Sequence, residues 1–169
     1  VNAADASANF ANYDNDGDGT VDGVYVIYAG YGEEAGASAD AIWAHAWSIT
    51  PVTKDGKTIS KYSCSAELRG NSGTTITSIG VICHEFGHVL GAPDYYDTDY
   101  STGGQFEGTG KWDMMASGSW NNNGVTPAHH NAYTKVKVYG WATATVLSSA
   151  TNVTVKPVKD NKSFFQINS

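Results

Sequence analysis

The chain has 169 residues, enough for one domain with a sizeable core, and its 41% hydrophobic and 12% aromatic content is that of a globular protein. A net charge of −7, with only 10 lysines and arginines, argues against a nucleic-acid backbone or an anionic membrane as partner. No apolar run approaches the roughly 18 residues that span a bilayer, and with neither a leader nor an initiator methionine the expectation is a mature or excised piece.

In chain order, residues 1–11 are rich in alanine and asparagine and read as the tail of a helix. "DNDGDGTVD" follows, dense in Asp and Gly and therefore a tight loop. Gly23 to Gly30 is an apolar, β-branched and aromatic run bounded by glycines, which predicts a buried strand. Ala41 to Ile49 alternates in part and predicts a second strand. Thr50 to Leu68 reads as a hairpin with Asp55-Gly56 as its turn. Thr77 to Ala92 is helical, capped by Thr77 or Ser78, with Ile79, Ile82, Cys83, Phe86, Val89 and Leu90 as its apolar stripe. A long Gly-rich loop runs from Asp97 to Trp112. Thr126 to Gly140 predicts a second helix, with Thr126 as cap, Pro127 at the first helical position and Gly140 at the end. The last thirty residues alternate as strand, so the expected division is a main domain over 1–145 and a strand extension over 146–169, the start of a following unit.

The first helix carries the chemistry. In "HEFGHVLGAPD", His84 and His88 lie one helical turn apart and project from one face, so both imidazoles can reach one metal ion. Glu85 points to the side, where it meets a metal-bound water rather than the metal, as a general base must. Gly91 supplies the left-handed turn that ends the helix, Pro93 stops its continuation, and Asp94 arrives as third ligand. Spacing disfavours the rivals. Glu107 sits in a Gly-rich loop, Asp97 and Asp99 overshoot the turn, His129 and His130 open the second helix, and His45 belongs to a strand.

Two further groups leave alternatives open. Asp14, Asp16, Asp18, Thr20 and Asp22 match ligand positions of a calcium loop, with Gly19 at its turn, but Tyr25 stands where the bidentate glutamate belongs. The other reading is an Asp/Gly turn that hydrogen-bonds its own backbone. Cys64 and Cys83 allow either one disulfide, pinning the helix to the preceding strand, or two buried thiols.

"HEFGHVLGAPDYYDTD" resembles the extended zinc motif of the metzincin metallopeptidases, and most closely that of the immune inhibitor A family, where aspartate replaces the usual third histidine. "GKWDMMASGSWNN" is similar to the segment carrying the methionine turn of that family, which places the turn at Met115 rather than Met114. "DNDGDGTVDGVYVIYAGYGEE", "IWAHAW" and "YSCSAELRG" match in order and spacing, so the likeness runs from about Tyr13 to Trp141. Ser117 departs from the pattern of several metzincins, which place a tyrosine two residues after the turn methionine.

The resemblance implies an α/β (α+β) zincin catalytic domain: a mixed twisted sheet, an active-site helix and a C-terminal helix. It implies a secreted, monomeric zinc endopeptidase that acts on protein or peptide substrates and is held latent by an inhibitory propeptide absent from this chain. An extended substrate would pair with an edge strand around Lys61 to Leu68. Activity should fall at mildly acid pH as the ligands and Glu85 protonate. The alternative is a catalytically silent, calcium-stabilised binding or adhesion domain, against which the intact Glu85 argues.

Overall fold

The computed structural model describes every residue except Tyr100, Thr102 and Ser169. Its frame grows from the Asp55-Gly56 turn. Both residues have positive φ (50° and 76°), the left-handed backbone that lets a two-residue loop follow the twist of its strands. The turn joins β2 (His45–Lys54) to β3 (Lys57–Leu68) in antiparallel register, Trp47 opposite Tyr62. The two strands expected over Ala41–Ile49 and from Thr50 onward are thus one, β2. Its ladder is irregular between Ser48 and Val52, where Pro51 offers no N–H to pair.

β1 (Val24–Tyr31) runs parallel to β3, with Val26 beside Cys64, and the strand order is β1-β3-β2. β3 is therefore the central strand. The expected substrate edge at Lys61 to Leu68 is corrected in part: Tyr62 to Cys64 are paired on both sides, while Ser65 to Leu68 lie past the start of β2 and pair with β1. Among the described residues β2 has β3 as its one partner strand and so presents an edge.

α1 (Ile79–Val89) packs across the sheet. Its buried face overlaps the expected apolar stripe only in part: Val89 is buried, but Ile79 is 54% and Phe86 36% exposed, while Gly80, Val81, Glu85 and Gly87 are buried. The missing side chains are the reason. A Cβ on Gly80 would lie 1.9 Å from the Ser119 carbonyl oxygen, and one on Gly87 would lie 2.6 Å from the Met115 sulfur. The helix sits this low only because those positions are glycine.

Three other expectations change. Residues 1–11 form turns leading into a 3-10 helix at Phe10–Tyr13, not the end of an α-helix. The C-terminal helix is far shorter than Thr126–Gly140: helical residues begin at 132 and continue as a π-helix over Thr134–Val138. Ahead of them the chain is held extended, since Ala128 N–H donates to Gly118 O (2.9 Å) and His129 O accepts from Met114 N–H (3.2 Å). Asn131, not Thr126, meets the first free donors, its Oδ1 accepting from Thr134 N–H at 2.8 Å. The last thirty residues hold two short strands, β4 (Ala144–Leu147) and β5 (Phe164–Ile167), paired in parallel as a separate sheet that straddles residue 145.

Buried apolar residues gather in two places. Phe10, Val21 and Ile59 close one end of the hairpin, and Ala92, Met114 and Met115 lie under α1 with Cys83, Tyr95 and Tyr139 against them.

Candidate metal centre

His84 and His88 stand edge to face on one side of α1, with ring centroids 4.9 Å apart. Gly91, at φ 99°, turns the chain back, and Asp94 then brings its Oδ1 to 3.2 Å from His84 Nε2 and 3.3 Å from His88 Nε2. The other ring nitrogens are committed elsewhere. His84 Nδ1–H donates to Met114 O and His88 Nδ1–H to Ala92 O, both at 2.8 Å. In the neutral tautomers so fixed, both Nε2 atoms are lone pairs aimed at an oxygen that can only accept. Asp94 Oδ1 is buried and has no hydrogen-bond partner. Three acceptors facing one another at that range need a cation among them, either protons or a metal ion. The donor set of two imidazoles and a carboxylate, with tautomers set by backbone carbonyls, fits a divalent metal such as zinc.

Without a metal, electrostatics favours the proton. Burial works to lower the pKa of both histidines, but the Asp94 carboxylate and the backbone carbonyls outweigh it, and both are raised. Burial likewise works to raise Asp94, yet the two imidazoles hold it below the ordinary carboxylate range. Glu85, 8% exposed, is raised by burial against the opposing pull of both histidines.

Glu85 and His84 line a cleft of about 490 Å³ together with Glu34, Trp43, Phe106 and Trp120. Ser117, where a tyrosine was weighed, also lines it. So do Asp97 and Glu107, which as rival ligands are not drawn into the His84–His88–Asp94 group. His45 is occupied by Trp43 O (2.7 Å) and the Tyr62 hydroxyl (2.8 Å). His130 lies beneath the helix against Tyr139, where burial lowers its pKa to about 4. Asp97 Oδ1 accepts from Asp99 N–H at 3.2 Å, as in a turn.

Met115 is fully buried under Gly87, while Met114, 6% exposed, supplies the carbonyl that holds His84. Of the two readings left open for Cys64 and Cys83, the structure holds the unbridged one: both thiols are free. Cys64 Sγ sits 3.4 Å from His45 Nδ1, whereas Cys83 packs toward the cluster under α1, so the two sulfurs serve different neighbourhoods.

In the acidic loop, carboxylate oxygens of Asp14, Asp16 and Asp18 come within 4.8 Å of one another, but Asp22 does not join them. Asp14 pairs with Lys57 at 2.6 Å and accepts from Gly19 N–H at 3.0 Å. Asp16 and Asp18 accept from the backbone two residues on, Asp18 N–H and Thr20 N–H. Asp22 is turned to Asn15, and Thr20 bridges to Thr58.

Some of what lines the cleft left no mark in the sequence. Glu34 folds back to accept from Ala44 N–H at 2.9 Å, and Trp43 and Trp120 flank the cleft from segments distant in the chain. Asp113 escaped notice too, a buried acid with no periodic partner.

A mixed α/β frame whose histidine-bearing helix opens onto a cleft is compatible with a peptidase catalytic domain. Residues 5–142 match the model of the immune inhibitor A peptidase M6 catalytic domain, and the chain belongs to that family. It is 34% identical over 137 residues to Immune inhibitor A of Bacillus thuringiensis subsp. alesti, covering 72% of this chain and 19% of that protein. It is 33% identical over 159 residues to the Pre-pro-metalloprotease PrtV of Vibrio cholerae serotype O1 (strain M66-2), covering 79% of this chain and 17% of that protein. The chain thus spans less than a fifth of the length of these curated relatives. A metallopeptidase domain is what family and relatives support, and the silent-domain alternative finds no support among them.

Proposed function

We propose that the chain is the catalytic domain of a zinc endopeptidase, with His84, His88 and Asp94 as the metal ligands. The observation that carries this reading is the convergence of two Nε2 atoms and Asp94 Oδ1 beside Glu85 at the wall of the cleft. When bound, zinc supplies a Lewis acid and brings the pKa of its water toward neutrality. Met114 O and Ala92 O hold the two imidazoles as lone-pair donors toward the ligand position. Glu85 accepts the proton of the attacking water and delivers it to the leaving amine. Its burial raises its pKa and so strengthens it as a base. An extended peptide lies along the free edge of β2, whose start adjoins Trp43 in the cleft wall, and pairs through its backbone. That mode suits unfolded or flexible protein and tolerates many sequences.

The setting follows the same reading. The domain works outside the cytoplasm and as a monomer, and an inhibitory propeptide keeps it latent; the similarity to PrtV, a pre-pro-metalloprotease by name, supports such a segment. Among the described residues no helix is long and apolar enough to cross a membrane. Calcium at Asp14, Asp16 and Asp18 is the accessory metal of this reading.

The test is degradation of casein by the chain and by Glu85→Ala, with zinc supplied to both. Cleavage by the parent alone supports the assignment. Cleavage by neither, from samples shown to bind zinc, overturns it in favour of a silent domain.

A further inference from the structure

Four backbone groups of Met114 and Met115 are all engaged, and each bond joins a different part of the centre. Met114 N–H donates to His129 O and Met115 O accepts from Tyr95 N–H at 2.8 Å, next to the ligand Asp94. Met114 O accepts from His84 Nδ1–H, and Met115 N–H donates to Asp113 Oδ1 at 3.0 Å. The last two belong to one peptide group. A carboxylate grips its N–H, and the histidine leans on its C=O.

Asp113 is 0% exposed. Its second oxygen accepts from Asn131 Nδ2, and among the described residues no lysine or arginine forms an ion pair with it. Full burial of a carboxylate without an ion-pair partner is costly. It offers two acceptors where an asparagine offers one, its charge is felt by the neighbouring Lys135 and His130, and it polarises the peptide group that it grips. A charge-assisted bond to an amide N–H draws electron density toward the carbonyl oxygen of the same plane and strengthens the bond that oxygen accepts.

We propose that Asp113 is a positioning residue for His84, acting through the Met114–Met115 peptide group to fix the tautomer and raise the donor strength of Nε2. The peptide takes the place of the direct carboxylate–histidine contact that commonly supports a metal-bound imidazole. The assignment rests on the reading of His84, His88 and Asp94 as metal ligands.

Zinc affinity, measured by competition with a chromophoric chelator, tests it on the parent chain, Asp113→Asn, and the double variant Asp113→Asn/Asn131→Asp. The single variant should bind zinc about 10–100-fold more weakly. It also sets two amide donors against each other at Asn131. The double variant restores donor and acceptor there while keeping the charge off the peptide. Its metal-free melting temperature should return toward that of the parent, with zinc affinity still weakened. Affinity that recovers together with stability, or an unchanged affinity in Asp113→Asn, overturns the proposal. If neither variant folds, the parent decides: the Met115 amide proton should resonate well downfield of ordinary amides, and an ordinary shift overturns the proposal. A parent that binds no zinc overturns the metal reading itself.

Discussion

The molecule holds two groups of candidate metal ligands, and they are built on opposite plans. At His84 and His88 each Nδ1 is bonded to a backbone carbonyl, so the two Nε2 atoms and Asp94 Oδ1 are left as acceptors facing one another. At Asp14, Asp16 and Asp18 the carboxylates are largely satisfied by the loop itself and by Lys57. The first group is preorganised for a cation and strained without one. The second is held mostly by its own backbone and Lys57, with Asp14 Oδ1 left without a partner. Acidic composition therefore says little about metal binding; what matters is whether the ligand atoms have other partners.

The largest expected effect separates chemistry from binding within the first group. Glu85→Ala should lower casein cleavage by about 10²–10⁴-fold, the usual worth of a general base, while zinc affinity changes little. Parallel loss of zinc would make Glu85 part of the ligand set instead. Next in size is the stabilisation by zinc, about 2.7 kcal/mol at a hundredfold excess over its dissociation constant. That is roughly a 5–11 °C rise in melting temperature for a chain of this length. Asp94→Ala should abolish it.

The pH dependence of that rise has a definite sign. Folding raises the pKa of His84 and His88, so their contribution to the metal-free chain is complete below the ordinary histidine value and is lost as pH climbs through the raised ones. Asp94 is lowered, so its contribution is present above about pH 4 and lost as pH falls through the folded value. Glu85, raised by burial, adds a loss as pH climbs. The metal-free chain should thus lose stability from pH 6 to 8, while the increment from zinc grows because protons no longer compete. Melting curves with and without chelator check both trends. An increment that shrinks toward pH 8 would break the comparison.

The convergence of His84, His88 and Asp94 was legible because its signals are local. One helical turn separates His84 from His88, and a single glycine turn brings Asp94 back to them. The Asp55-Gly56 hairpin was legible for the same reason. What failed was decided at a distance. Thr126 and Pro127 make a sound helix start in isolation, but Gly118 O and Met114 N–H hold the chain extended there. The stripe of Ile79 and Phe86 has the right period, yet periodicity counts side chains, and α1 is drawn in at Gly80 and Gly87, which turns Ile79 and Phe86 outward. Strand order cannot be read from strand patterns, so central β3 passed for an edge.

The glycine face provides the next test. Gly80→Ala thrusts a methyl against the Ser119 carbonyl, which is backbone and cannot yield, whereas Gly87→Ala meets the more pliable Met115 side chain. Overpacking costs about 1–3 kcal/mol, with Gly80→Ala at the upper end. Gly87→Ala should also weaken zinc binding, since it adjoins His88 and presses on Met115, whose carbonyl holds Tyr95 beside Asp94 and whose neighbour Met114 holds His84. Chemical denaturation and chelator competition on both variants separate the two effects. Equal losses of zinc affinity would mean that α1 moves as a whole, rather than that Met115 supports the ligands locally.

The smallest effect belongs to the acidic loop, and Lys57 makes it decidable. Its ammonium lowers the Asp14 pKa and occupies one carboxylate oxygen, while Asp14 Oδ1 is buried without a partner. Calcium therefore has to compete with a resident cation, unlike zinc. At a tenfold excess over its dissociation constant it should add about 1.4 kcal/mol, roughly 3–6 °C in melting temperature, and Asp16→Ala should remove that gain. Lys57→Gln takes away the competitor. If the ring binds calcium, this variant is less stable than the parent in chelator but gains more from calcium. If it is only a turn, the loss of Lys57 destabilises equally with and without calcium, and the loop owes its charge balance to the lysine alone.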